Sequence, residues 1–98
     1  MAFMEISIIP IGTGSTSLSS HVASVVSLVK ESGLAFQLHD MGTTVQGEVK
    51  ELLDLARQLH EAMFKDNVKR VYTVIKLDDR RDKQTSLEQK TKSVEDKL

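Results

Sequence analysis

The chain has no cysteine and no tryptophan, a single proline, and only three phenylalanines and one tyrosine among its 98 residues. The missing thiols exclude disulfides, thiol catalysis and thiolate metal sites, and they remove any reason to place the chain in an oxidising compartment. The scarcity of aromatics argues against base stacking on a sheet, the usual basis of single-stranded RNA recognition. Charge of one sign is also missing: 13 basic and 14 acidic residues leave a net charge of -1. No electrostatic footprint for nucleic acid or an anionic membrane stands out. Long apolar runs are absent too, and the opening MAFMEISIIP lacks a basic leader and is interrupted by Glu5, so the expected location is cytoplasmic. What remains is 40% hydrophobic residues spread over the length of one domain, residues 1–98. A domain this small leaves much of its chain exposed and often gains stability by oligomerising.

Phe3 to Pro10 is β-branched and apolar with Glu5 and Ser7 interleaved, and reads as a first strand ended by the proline. The loop IGTGSTSLSS leads into Leu18, Val22, Val25, Val26 and Val29 at helical spacing, a helix that stops at Ser32-Gly33. Leu34, Phe36 and Leu38 alternate with Ala35, Gln37 and His39 as strand two, and MGTTVQGE suits a turn followed by a short strand three. Val49, Leu52, Leu53, Ala56, Leu59, Met63 and Phe64 form the apolar stripe of a second helix, closed by Asp66-Asn67. Val71 to Leu77 alternates as strand four and runs into Asp78-Asp79-Arg80-Arg81-Asp82-Lys83. Thr85-x-x-Glu88 is a capping-box pattern that predicts a last helix over 85–98 with a thin stripe of Leu87, Val94 and Leu98.

The order β-α-β-β-α-β predicts an α+β, ferredoxin-like fold: a four-stranded antiparallel sheet with two helices on one face, plus the C-terminal helix. Strand four is apolar in both registers, with Tyr72 and Val74 on one side and Val71, Ile75 and Leu77 on the other. A sheet apolar on both faces needs a second cover, expected to be another copy of the chain, giving a dimer or tetramer.

This fold hosts many functions, so the residues must discriminate. His21, His39 and His60 fall on different elements without metal-ligand spacing, and no metal, cofactor or catalytic role is expected of them. Gly12-Thr13-Gly14-Ser15-Thr16-Ser17 precedes a helix N-terminus but lacks the lysine and spacing of a phosphate loop; the simplest reading is a turn capped by Thr16 or Ser17. Glu48 suits the N-terminus of helix two through its dipole, and the 78–82 charge string suits an interface. No nucleophile with a neighbouring base can be assembled, so a non-enzyme is expected.

The run IIPIGTGSTSLSSHVASVV, then MGTTVQGE, then RVYTVIKLDDRRD and LEQKTKSVEDKL resembles, over nearly the whole length, the small thiamine-binding protein family. The resemblance implies sheet-mediated dimers that pair as tetramers and a pocket for thiamine or its hydroxymethylpyrimidine half, acting as a carrier or sensor. Carried over by residue, it makes Thr13, Ser15, Thr43, Thr44 and Glu48 ligand candidates, with Tyr72, Asp78, Asp79, Arg80 and Arg81 as interface or pocket rim. Gln46 stands where the family often has an acid. An aminopyrimidine offers donors and acceptors that hydroxyls and a carboxylate can match, and Tyr72 is the one tyrosine available to a thiazolium cation. The rival readings are a non-catalytic assembly module with a vestigial pocket, and an enzyme acting on a pyrimidine or phosphate ester.

Overall fold

The computed structural model describes residues 1–14, 19–83 and 86–98, the side chains of Ser19 and Lys90 excepted. Its elements are β1 (Ala2–Ile11), α1 (Ser19–Ser32), β2 (Ala35–His39), β3 (Gly42–Gly47), α2 (Val49–Ala62), β4 (Arg70–Asp79) and α3 (Gln89–Glu95). The strands form one sheet in the order β2-β3-β1-β4 with every neighbouring pair antiparallel, the ferredoxin-like arrangement expected. Each βαβ crossover skips one strand, so β1 and β3 lie in the middle and β2 and β4 at the edges.

Strand alternation assigns the two faces. Ala2, Met4 and Ile6 of β1 and Val45 of β3 turn to the helices and are buried. They meet Val25 and Val29 of α1 and Leu52, Leu55, Ala56 and Leu59 of α2 in one core. α1 ends at Gly33, whose φ of 76° is the left-handed conformation that closes helices and that residues with a Cβ adopt at a cost. α2 ends at Ala62, before Phe64, and the chain then turns through Asp66 and Asn67 at φ 53° and 67°. His60 Nδ1 lies 2.7 Å from Thr73 Oγ1 and joins α2 to β4.

Three boundaries differ from the sequence reading. β1 runs one residue past Pro10; β3 pairs with β1 only as far as Ile6, so from Ser7 onward a residue without an N–H sits on a stretch bonded on one flank alone. The last helix opens at Gln89 rather than at Thr85, which lies outside the described residues, and Glu88 precedes it in the left-handed region. It is seven residues long; Leu87 is half-buried, while Val94 and Leu98 are exposed. β4 is exposed on both faces, with Tyr72 and Val74 on the open side and Ile75 and Leu77 on the helix side, in agreement with its doubly apolar pattern. Among the described residues no helix is long and apolar enough to cross a membrane.

Candidate functional site

β1 has ten residues and β3 six, and their pairing stops at Ile6 opposite Thr43. Beyond that point β1 continues without β3 beside it, and the step in the sheet leaves a cleft between β1, α1 and the β2–β3 turn. Gly42 fixes how deep the step is: a Cβ there would stand 2.9 Å from the Ile6 carbonyl oxygen, so only glycine lets the turn approach β1 this closely. The cleft measures about 540 Å³, within the range of small-molecule sites. Its walls are Ile6, Ile8, Ile9, Val22, Val25, Leu38 and Met41, with Ser7, His39, Asp40 and Thr43 as polar members.

Thr43 is the informative residue. It is 3% exposed, the one polar residue in the buried set of the described residues. Its side chain makes no hydrogen bond to another described residue, and the residue borders the cleft. The fully buried side-chain atom without a partner among the described residues is His21 Nδ1; Thr43 Oγ1 is not in that set, so it keeps an open side on which a ligand could meet it. An apolar slot lined by two hydroxyl residues, Thr43 and Ser7, and by the exposed acid Asp40 is suited to a flat heteroaromatic ring carrying a cationic substituent.

Thr44 projects to the opposite, open face because successive strand residues alternate. There it meets His39, whose Nε2 lies 2.9 Å from Thr44 Oγ1 and 3.9 Å from Glu5 Oε2; Lys76 Nζ is 3.9 Å from Glu5 Oε1. The C-terminal segment borders this cluster: Gln37 Nε2 donates to Glu88 Oε1 at 2.7 Å, and a second cleft of about 530 Å³ opens between Phe3, Glu5, Thr44, Asp78, Leu87 and Glu88. A broader groove of about 950 Å³ along α3 is walled by solvated polar side chains and lacks a comparable apolar floor.

The structure divides the residues singled out in the sequence. Thr13 is half-buried just past the end of β1, at the same end of the sheet as Thr43; Ser15, like the cap candidates Thr16 and Ser17, lies outside the described residues. Glu48 follows Gly47, the register partner of Ala2, so a whole strand length, roughly 30 Å at about 3.3 Å per residue, separates it from Thr13. Glu48 instead caps α2 in a reciprocal capping box with Glu51, whose Oε1 accepts from the Glu48 N–H at 3.0 Å. Its electrostatic neighbour is Arg81, which also donates to Asp79 at 2.8 and 3.1 Å. That hydrogen bond is the main reason the Asp79 carboxyl lies below its usual range. Arg80 forks onto Asp82 at 2.7 and 3.2 Å and lowers that carboxyl likewise. Tyr72 is exposed on the open face opposite Ile9, and Asp78 lines the open-face cleft opposite Phe3. Sequence reasoning missed the apolar walls, Asp40, and the role of His39 as a lining residue of both clefts.

This geometry sits in a recognisable lineage. A family model described as thiamine-binding protein matches residues 4–95. A UPF0045 protein of Methanothermobacter thermautotrophicus is 40% identical, with both chains covered in full. The UPF0045 protein YqgV of Bacillus subtilis is 42% identical over 96% of this chain and 94% of its own. Among solved structures, a hypothetical protein of Methanocaldococcus jannaschii superposes with a TM-score of 0.87 at 33% identity, covering 96% of this chain and 95% of that one. A Thermotoga maritima protein assigned provisionally to thiamine biosynthesis or salvage superposes at 0.79 with 18% identity, covering 95% and 97%, a likeness of fold. The matched span takes in all four strands, both crossover helices and α3, and the chain belongs to the thiamine-binding protein family.

Proposed function

We propose that the protein binds thiamine, or its hydroxymethylpyrimidine half, without chemical turnover, in the cleft beside Thr43, as a carrier or sensor in the cytosol. The observation that carries this reading is Thr43, a polar residue only 3% exposed on the wall of an apolar slot, with no side-chain hydrogen bond to another described residue. Family membership supplies the ligand class. In this pose the pyrimidine ring lies against Ile6, Val25 and Leu38 and accepts or donates a hydrogen bond at Thr43 Oγ1. The thiazolium cation faces Asp40, and Thr13 stands at the same end of the sheet. Glu48 has no part in the pose within one chain.

Copies associate through β4, whose ten-residue free edge and exposed Tyr72, Val74, Ile75 and Leu77 suit a second copy. That edge also supports the alternative in which assembly itself is the function. A melting scan against thiamine, its phosphates and the pyrimidine alcohol separates the two. A ligand that binds only the folded state at a hundred times its Kd stabilises by about 2.7 kcal/mol. No shift with any of these ligands, with the oligomer intact, would favour the assembly module.

A further inference from the structure

We infer that the main chain of Ile8 reads the pyrimidine edge of a ligand in the proposed thiamine site, on which this step rests: its N–H donates to a ring nitrogen and its C=O accepts from the exocyclic amino group. In a strand the N–H and C=O of one residue leave on the same side, and successive residues alternate sides. A Cβ on Gly42 would stand 2.9 Å from the Ile6 carbonyl oxygen and 3.5 Å from its carbon, so Ile6 aims its carbonyl at β3. Ile8 and Pro10 therefore turn their main-chain groups to the same flank, while Ser7, Ile9 and Ile11 turn theirs to β4. Pro10 agrees with this assignment, because it has no N–H to give to a ladder and yet the pairing with β4 runs through it to Ile11 opposite Arg70.

The pairing of β3 with β1 ends at Ile6 opposite Thr43, so among the described residues no strand faces Ile8 on that flank, and Ile8 lines the cleft. What the flank offers past Ile6 is the N–H and C=O of Ile8 and then the C=O of Pro10. An added strand is poorly served by this row, since Pro10 cannot donate. A single flat ring is well served. An aminopyrimidine carries an acceptor ring nitrogen beside an amino donor, the same pair that a facing strand residue would present to Ile8. Ile6, Val25 and Leu38 supply apolar walls for the ring. Bidentate reading of a base edge discriminates against the wrong edge by about 5- to 150-fold, and in a cleft open to solvent the lower part of that range applies, about tenfold.

The test is amide hydrogen exchange of the full chain, followed residue by residue by NMR, without ligand and with saturating thiamine. Calorimetric titration compares thiamine with its oxo analogue, in which a carbonyl replaces the amino group and the neighbouring ring nitrogen becomes a donor. In the free protein the Ile8 amide should exchange faster than those of Ser7 and Ile9, which bond to β4. Thiamine should slow exchange at Ile8 by about tenfold or more, and the analogue, which sets donor against donor and acceptor against acceptor, should bind about tenfold more weakly. An Ile8 amide already protected in the free protein, or one whose exchange bound thiamine leaves unchanged, overturns the inference while thiamine binding itself stands. Equal affinity for thiamine and the oxo analogue does the same. No thiamine binding by the wild type overturns both the inference and the site.

Discussion

Replacing Thr43 by valine should stabilise the unliganded protein and weaken thiamine binding together, two effects of opposite benefit from one atom. Valine keeps the β-branch that suits the strand and fills nearly the same volume at a site only 3% exposed. What it removes is a hydroxyl that makes no bond within the described chain. A fully buried unpartnered hydroxyl costs about 1 to 3 kcal/mol; Thr43 Oγ1 is not among the fully buried unpartnered atoms, so the gain is at most the low end of that range. A gain near 1 kcal/mol raises the Tm of a domain this size by roughly 4 to 8 °C. The bound ligand loses one neutral hydrogen bond, about 0.5 to 1.5 kcal/mol, or roughly two- to twelvefold in Kd. The assays are differential scanning calorimetry without ligand and isothermal titration with thiamine. Thr43→Ser serves as the partner variant, keeping the oxygen while giving up a methyl: it should bind close to wild type and melt lower. A valine variant that melts lower than wild type and binds equally well would show that the hydroxyl is bonded within the protein and has no ligand to meet, and the placement of the site would fall.

Glu48→Gln should leave thiamine affinity unchanged while costing about 0.3 to 1 kcal/mol of stability, since the side chain serves the N-terminus of α2; a tenfold loss of affinity in the titration would bring Glu48 into the site, through a partner copy. Arg81→Ala removes the hydrogen bond that holds the Asp79 carboxyl below its usual range. A carboxyl lowered in the folded state contributes stability above its unfolded value, near pH 3.9, and loses it as pH falls through the lower folded value. The Tm difference between wild type and Arg81→Ala should therefore be present at pH 6 and close below about pH 4; a difference that persists at pH 2.5 would assign it to something other than this pair. Val74→Glu places a charge on the open face of β4 beside Tyr72 and should shift sedimentation toward the monomer, whereas an unchanged sedimentation coefficient would clear that face of any part in assembly.

The elements were legible in the residues because each carries its own period. The alternation of Phe3 to Ile9 and of Val71 to Leu77 marks strands, the stripe from Val49 to Leu59 marks a helix with one core-facing side, and the order of the elements leaves one compact antiparallel sheet. The site was less legible, for two geometric reasons. Thr43 and Thr44 look equivalent in the sequence, yet the pleat sends one into the core and the other to the open face, and which is which follows from the register with Ile6. Thr13 and Glu48 look like two walls of one pocket, yet β3 runs antiparallel to β1, so the loop after one strand and the loop after the other lie at opposite ends. The pairing direction that separates them is a tertiary fact and leaves no trace in local composition.

The cleft has its origin in a mismatch of lengths. β1 has ten residues and finds ten partners in β4 but five in β3, so its second half is bonded on one flank and open on the other. Val25 and Val22 of α1 border the cleft there, Val25 buried and Val22 44% exposed, a partial roof rather than a seal. Had β3 been longer, the step would have closed and Thr43 would sit in a continuous ladder. Had β1 been shorter, Ile8 and Ile9 would not be there to wall the slot. The proposed binding surface thus belongs to the strands and the turn at Gly42, and its polar lining reduces to a few positions, among them Thr43, Asp40 and His39, the last also lining the open-face cleft.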